Sequence, residues 1–572
     1  MIGDAGKSSE GAWSGLALVA AALVLIPLLA IGWIALSPAG DVWHHLLTTV
    51  LPRSMATTLI LMAGVGVLTT VLGVGTAWLT TMCRFPGRGW FDWILLIPLA
   101  IPTYIVAFAY VEALDYTGPL QSALRSVFGF KTSRDYWFPE VRSLGGAIFV
   151  MSLVLYPYVY LTSRASFLIQ IASVFDVSRT LGASPWRVFF TVALPMTRPA
   201  AVVGVSLALM ECLNDIGAVT FFGVRTLTFS VYETWLNRSS LEGAAQLAVA
   251  MLLMVFALLW VERQGRRHQK FHNHSTKHLQ PSRFKLQGWR ATVAFTACAL
   301  PVLLGFGIPA YILVKMASRR LEQLMDGAFL AAISNSLFLA CIASVLTVSL
   351  SVALAYGMRL QKNVILSLAV RFSAIGYAIP GTILAVGILV PLANLDGVLN
   401  SFSKSTFGYA TGPLLLGSGV GLIYAYTVRF LAISFGQIDS GFAKISPHLD
   451  MASRTLGRTA SQTLWQVHLP ILKPVLLSAL LLTFVDCMKE LPATILLRPF
   501  NFETLATTVF EAASREAFED AALPALAIVL VGLLPVILLA RTSAQSFRSK
   551  SSTRPPLEAA VPLASPDLSA AE

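Results

Sequence analysis

Long apolar runs separated by short polar turns recur along the whole chain. They fall near 12–36, 55–81, 92–114, 144–164, 200–223 and 244–261, then near 291–314, 333–358, 366–393, 413–435, 475–497 and 521–541. A hydrocarbon core of about 30 Å needs about 20 apolar helical residues, so each run predicts one membrane-spanning helix. A transmembrane barrel would show short alternating segments instead. The expected fold class is therefore an all-α membrane protein of about twelve transmembrane helices. The first run follows a single cation, Lys7. It exceeds the roughly 7–15 apolar residues of a cleaved signal peptide and reads as an uncleaved first helix.

Composition agrees. Only 12% of the 572 residues are charged and 56% are hydrophobic, with mean hydropathy +0.72. Soluble domains carry roughly 25% charged residues, so too few are present to cover a water-facing surface. A soluble enzyme, a disordered chain and a disulfide scaffold are excluded. Cys83, Cys212, Cys298, Cys341 and Cys487 are scattered, with no paired spacing for a disulfide framework or a zinc site.

The position of the charge gives orientation. Segment 262–290 carries Arg263, Arg266, Arg267, Lys270, Lys277, Arg283, Lys285 and Arg290 against one acid, Glu262. A basic surplus of this kind marks cytoplasmic loops rather than nucleic-acid binding, and no nucleic-acid partner is expected. Counting spans outward places both termini inside, with the 82–91 turn, the 165–199 loop, the 359–365 turn and the 436–474 loop. Lys315, Arg319 and Arg320 dissent, falling outside. No G-x-x-x-x-G-K-[ST] sequence is present, so energy from ATP must come from another chain.

The chain is also a duplication. Ser178-Arg-Thr-Leu-Gly182 recurs letter for letter at Ser453-Arg-Thr-Leu-Gly457. Asn335-Ser-Leu-Phe-Leu339 matches Thr57-Thr-Leu-Ile-Leu61, Ile379-Pro380 matches Ile101-Pro102, and Asp486-Cys-Met-Lys-Glu490 aligns with Glu211-Cys-Leu-Asn-Asp215. The expected halves are 1–280 and 281–542, followed by a disordered cytoplasmic tail, 543–572. Six spans in each half make a parallel repeat about an axis along the membrane normal, enclosing one central path.

The loop before the fifth span of each half repeats most closely. Gly182 and Gly457 suit helix C-caps. Ser184-Pro185 restarts a helix, with serine as N-cap and proline at its first position. An amphipathic stretch containing Trp186 and Arg187 then ends at Leu194-Pro195, and its second copy, with Trp465, ends at Leu469-Pro470. Each half should thus present a short helix, a break and a second short helix: a knob able to dock in a partner's groove. The plainer alternative is a pair of interfacial helices lying on lipid.

These segments resemble the EAA loop of bacterial ABC-importer permeases. The resemblance covers about residues 12–541. It implies the type I permease fold in the bacterial inner membrane, with coupling loops carried by Asp176, Arg179, Gly182, Trp186, Arg187, Leu194, Pro195, Arg454, Gly457, Trp465, Leu469 and Pro470. The family pattern places Glu-Ala-Ala six residues before the glycine; here those positions read Asp176-Val-Ser and Met451-Ala-Ser, with Asp450 adjacent. The run Tyr136–Gly146 and the segment Ala208–Ala218 look like those of ferric-iron permeases of the iron(III)/thiamine group. The implied partners are a cytoplasmic ATPase dimer and a periplasmic substrate-binding protein. The implied chain is not an enzyme and binds no cofactor, ATP and Mg being used by the ATPase. Thiamine is the alternative substrate, and a proton-coupled secondary transporter the alternative class.

Acids inside a membrane are costly and mark functional candidates. Glu211 and Asp215, and Asp486 and Glu490 in the repeat, lie one turn apart on symmetric helices. Four carboxylates could line a cation path, since hard cations such as Fe³⁺ prefer oxygen ligands. They could equally pair across the half–half interface or bind helix ends, and no metal site is firmly expected. Pro98, Pro102 and Pro380 could form gate hinges or simply pack. His268, His272, His274 and His278 could bind metal, or belong to a connector facing anionic lipid.

Overall fold

In the computed structural model, residues 2–548 are described except 39, 41, 181, 183, 267–282, 361–363, 365–375, 377 and 378. The four linker histidines and residues 549–572 of the tail therefore lie outside the described residues, while 543–548, expected in the disordered tail, are helical as the end of Phe518–Arg548. The first half comprises α1 (Ile2–Ala35), α2 (Leu51–Met82), α3 (Thr103–Leu114), α4 (Leu144–Thr180), α5 (Leu194–Asn214), α6 (Ile216–Phe221) and α7 (Leu241–Arg266). The second comprises α8 (Trp289–Val302), α9 (Ile308–Ala317), α10 (Gly327–Leu360), α11 (Gly381–Phe407), α12 (Val420–Ala443), α13 (Pro447–Thr455), α14 (Leu469–Met488), α15 (Pro492–Leu497) and α16 (Phe518–Arg548). Shorter helical turns join them.

Eleven helices among the described residues are long and apolar enough to cross a membrane. A further pair, Arg88–Ala100 with Thr103–Phe128, meets the same test across an 85° bend. Several boundaries differ from the sequence expectation. Of the ninth run, expected over 366–393, residues 366–375, 377 and 378 lie outside the described residues; α11 begins after Pro380 and continues through polar positions to Phe407. The reason lies in Asp396, which is buried and accepts hydrogen bonds from the Leu415 and Leu416 amides (2.8 and 3.0 Å), so its charge anchors the following loop instead of ending the helix. Expected spans 200–223 and 475–497 are each divided, at Asp215 and at Lys489–Leu491.

The duplication is visible in three dimensions. From α2 onward, corresponding helices in the two halves begin 275 to 278 residues apart. The repeated motifs make the same bond. Thr58 accepts from the Leu227 amide (3.0 Å), and Ser336 accepts from the Leu505 amide (2.8 Å). Both hydroxyls are buried. Thr58→Ala and Ser336→Ala should therefore each lower stability by about 1–3 kcal/mol, the cost of a buried amide left without a partner. Thermal unfolding in detergent checks this, and a near-zero change for either would contradict the shared role.

The halves interlock through their first helices. Gly357 of α10 lies against Trp13 and Ala17 of α1, and Gly387 of α11 against Pro27 and Ile31. On the other side Gly305, just after α8, abuts the Leu153 carbonyl of α4, and Tyr110 donates to the Leu304 carbonyl (2.7 Å). Each half thus packs its first helix on the other. Glycine is required at Gly387 and Gly305, where an added Cβ would enter the Pro27 and Leu153 carbonyls; at Gly357 it would press on Ala17 at 3.0 Å.

Four π-helical turns, Leu46–Val50, Phe189–Ala193, Leu303–Gly307 and Leu464–His468, each end two residues before a proline. Leu194-Pro195 and Leu469-Pro470 consequently do not end helices, contrary to expectation. Proline lacks a donor and clashes with the carbonyl four residues back. Widening the preceding turn moves that carbonyl aside, and the helix continues into the span.

A two-residue parallel strand pair was not expected: β1 (Cys83–Arg84) pairs with β2 (Phe284–Lys285). It fixes the exit of the basic linker against the 83–90 turn. Two of the three dissenting cations have partners at their own end of the bundle. Arg319 pairs with Glu519 (2.9 Å), and Arg320 approaches Glu519 and Asp520 (3.6 and 3.5 Å).

Candidate functional site

Among the described residues three spans break inside the bundle, and a fourth helix starts beside them. The backbone leaves helical geometry at Ile101-Pro102 before α3, at Pro380 before α11, at Asp215 between α5 and α6, and between α14 and α15. Irregular backbone at membrane depth is tolerated where it is buried in protein or lines a cavity. The three breaks line a cavity of about 80 Å³ whose wall includes Thr103, Tyr104, Glu211, Asn214, Asp215, Arg429, Asp486, Lys489 and Glu490, and Gly381 lies against Arg429 and Glu490 of that wall. All four acids singled out in the sequence meet here.

Their chemistry is not that of four free carboxylates. Asp215 accepts from the Thr103 hydroxyl and from the Ala218 amide (2.8 Å), capping α6. Glu490 accepts from the amides of Ala493 (3.0 Å) and Thr494 (3.1 Å) and from the Thr494 hydroxyl (2.7 Å), capping α15. The two caps are related by the repeat. A carboxylate suits these positions because the first amides of a helix have no internal partner. Asp486 pairs with Lys489 at 2.8 Å. Among the described residues, no three His, Cys, Asp or Glu side chains converge as a metal-holding set.

The halves are joined across this cavity. Arg429 of α12 donates through Nη1 to Glu490 Oε1 (3.1 Å) and to Asn214 Oδ1 (2.8 Å). Asn214 also accepts from the Gly381 amide at 2.7 Å. One amide oxygen of the first half is thus held by a guanidinium and a helix terminus of the second. A Cβ on Gly381 would strike Arg429 Nη1 and lie 2.7 Å from Glu490 Oε1, so only glycine fits. The sequence reading weighed the acids and passed over Arg429. A lone arginine inside the 413–435 run was the available signal for Arg429.

The second knob is resolved in detail. α13 ends in a Schellman motif: Arg458 N donates to Ser453 O (3.1 Å) and Gly457 N to Arg454 O (3.0 Å). Gly457 takes φ +75°, which costs glycine little. Thr459 and Gln462 then form a capping box that starts the next turn. That turn, carrying Trp465, runs through the π turn into α14. The knob is tied down by Arg359 of α10, which reaches Asp450 (2.6 and 3.0 Å) and the Phe442 and Ile445 carbonyls (2.7 and 3.0 Å). His468 Nε2 meets the other Asp450 oxygen at 2.7 Å. Asp450, one position before Met451, is therefore the acid that holds this loop. Leu456, beside the glycine, is 80% exposed.

The first knob differs. Asp176 and Arg179 lie on the far end of α4, which continues without a break to Thr180, so no separate short helix precedes Gly182. Gly182 has φ +78°. Ser184 then accepts from the Arg187 amide at 3.4 Å, with Pro185 opening the next turn. Trp186 and Phe190 are exposed and stacked (6.2 Å between centroids).

Asp450 gives a pH prediction. Partial burial would raise its carboxyl, but the bonds from Arg359 and His468 outweigh that and hold it below the usual value of 3.8. A depressed carboxyl stabilises the fold above its unfolded pKa and loses that contribution as pH falls through the folded one. Protection of 447–463 against hydrogen exchange, taken relative to the intrinsic rate at each pH, should fall only below about pH 4. Asp450→Asn should show the lower protection already at neutral pH, and unchanged exchange in that variant would refute the tie.

Residues 69–269 match the family described as binding-protein-dependent transport system inner membrane component. The molybdenum transport system permease protein ModB of Escherichia coli is 30% identical over 204 residues, 34% of this chain and 86% of that protein. The chain belongs to this family. It is a multi-pass membrane permease component. The Fe(3+)-transport system permease protein FbpB 2 of Haemophilus influenzae is 24% identical over 489 residues, 85% of this chain and 89% of that protein. A probable ABC transporter permease protein, y4fN, of Sinorhizobium fredii is 22% identical over 564 residues, 92% of this chain and 95% of that protein. Similarity to these two permeases spans both halves, whereas the ModB match is the length of one.

Proposed function

We propose that this permease moves ferric iron through the central cavity, driven by a separate ATPase dimer that grips the knobs at Gly182 and Gly457. The ATPase face is the basic, cytoplasmic end of the bundle, and a substrate-binding protein delivers cargo at the opposite end. Closure of the ATPases brings the knobs together, and the span breaks around the cavity let the two halves rearrange. The observation that carries the reading is the convergence of three broken spans on one charged cavity whose halves are joined by Asn214 and Arg429.

Iron is favoured by the resemblance to FbpB 2, which runs through both halves. The acid-rich wall is consistent with a hard cation in transit. Because Asp215 and Glu490 are occupied as helix caps, the cavity would pass iron rather than hold it tightly, as conduction requires. A second reading has support of its own. The ModB match and the cations Arg429 and Lys489 in the wall suit an oxyanion such as molybdate. Uptake by vesicles containing the permease, its ATPase and its binding protein separates them. Labelled ferric iron should accumulate, and excess molybdate should not compete. Accumulation of molybdate alone would replace the iron reading.

A further inference from the structure

A second cavity lies away from the central one, where the linker between the halves rejoins the bundle. It measures about 690 Å³ and is lined by Arg84, Phe85, Arg88, Trp90, Arg283 and Lys285, with Gly87 and Gly89 in the turn. The β1–β2 pair builds it: Cys83 lies opposite Phe284 and Arg84 opposite Lys285, and the Leu286 amide donates to the Arg84 carbonyl (3.0 Å). Two strands from distant parts of the chain thus bring four cations to one pocket.

Two of these cations are fixed by the end of α2. Arg88 Nε donates to the Thr80 carbonyl, and Arg283 Nε to the Thr81 carbonyl at 3.3 Å. These carbonyls belong to the last turn of α2, where helices leave acceptors open. The charge is poorly balanced. Asp92 approaches Arg88 at 3.8 Å but pairs more closely with Arg164, at 3.1 Å. No carboxylate pairs with Arg84, Arg283 or Lys285 among the described residues, and 263–290 contains no acid at all. Side chains held in place with unmatched positive charge make a site for an anion, and guanidinium pairs suit phosphate oxygens in particular.

The surroundings indicate where the phosphate comes from. Trp90, in the pocket wall, and Trp289, at the start of α8, are 64% and 72% exposed. Both sit where membrane-crossing helices begin, the level at which tryptophan meets lipid headgroups. Phe85 and Trp90 line the pocket beside the cations, and Phe91 and Phe295 pack together (5.2 Å) behind the turn, Phe295 lying against Gly87.

We infer that this pocket binds the phosphate headgroup of an anionic membrane lipid, clamping the linker between the halves to the bilayer surface. The ligand chemistry is a phosphate ester. An acidic face of a soluble protein is disfavoured because the tryptophans place the rim at the headgroup plane.

The test uses the full chain in nanodiscs of phosphatidylcholine with a minor share of phosphatidylglycerol, with retained lipid read by native mass spectrometry. Wild type should retain phosphatidylglycerol selectively. The variant R84Q/R283Q/K285Q should retain roughly tenfold less, given the attraction each surface cation exerts on anionic lipid. The control R53Q/K404Q/K444Q removes three exposed cations elsewhere and should retain the lipid as wild type does. Equal loss in both variants would reduce the effect to general surface charge and overturn the site. Displacement of the lipid by millimolar inorganic phosphate would overturn the lipid source in favour of free phosphate. Should the pocket variant not fold, wild type carries the test alone: its melting temperature should rise in phosphatidylglycerol over phosphatidylcholine, and the absence of any rise would refute the inference.

Discussion

Replacing Arg429 with methionine should destabilise the permease by roughly 3–5 kcal/mol, because it strands the Glu490 carboxylate in a buried site. The side chains of Arg429 and Glu490 are 6% and 1% exposed, so water cannot compensate the lost partner. The same change removes one of two donors to Asn214 and loosens the join between the halves. The double variant R429M/E490Q should recover a large part of the loss, since the neutral amide no longer needs a counter-charge and its oxygen can still accept from the α15 amides. Thermal unfolding of the three proteins in one lipid mixture measures this. A loss under about 1 kcal/mol for R429M, or strictly additive losses in the double variant, would show that the pair is not a coupled unit.

The knob at Gly457 gives the second large effect. Leu456 is exposed at its tip, and its amide bonds only within α13. Leu456→Asp should therefore change stability by no more than about 0.5 kcal/mol. If the knob docks in a groove of the ATPase, a carboxylate buried there without a partner should cut ATP-driven uptake on the order of tenfold or more. Gly457→Ala works differently. It places a Cβ at φ +75° and should cost about 1–2 kcal/mol in the knob itself. Folding loss without transport loss in the first variant, or full uptake in both, would remove this knob from the coupling path.

Spans and repeat were legible because both are written in local pattern. Apolar length identifies a membrane helix whatever it packs against. The Thr58/Ser336 motifs carry the same local duty in each half, and Gly182 and Gly457 share a positive φ. The acids were found for the same reason: a carboxylate inside an apolar run is visible without a structure. Their partners were not. Arg429 lies 61 residues from Glu490 and 215 from Asn214, and only the tertiary arrangement joins them. The helix-ending reading of Pro195 and Pro470 failed because a π turn removes the clash that ends a helix, and no local rule announces that turn. The continuation of α11 beyond 393 was hidden because a buried Asp396, satisfied by two loop amides, looks in sequence like a loop residue.

Reconstitution of transport tests the central claim most directly. Proteoliposomes would contain the permease, with its ATPase and ATP on the face carrying Gly182 and Gly457 and its loaded binding protein on the other. Uptake should require all three, and should stop when ATP is withheld while an uncoupler has no effect. Uptake by the permease alone, or uptake abolished by the uncoupler and indifferent to ATP, would contradict an ATPase-driven conduit.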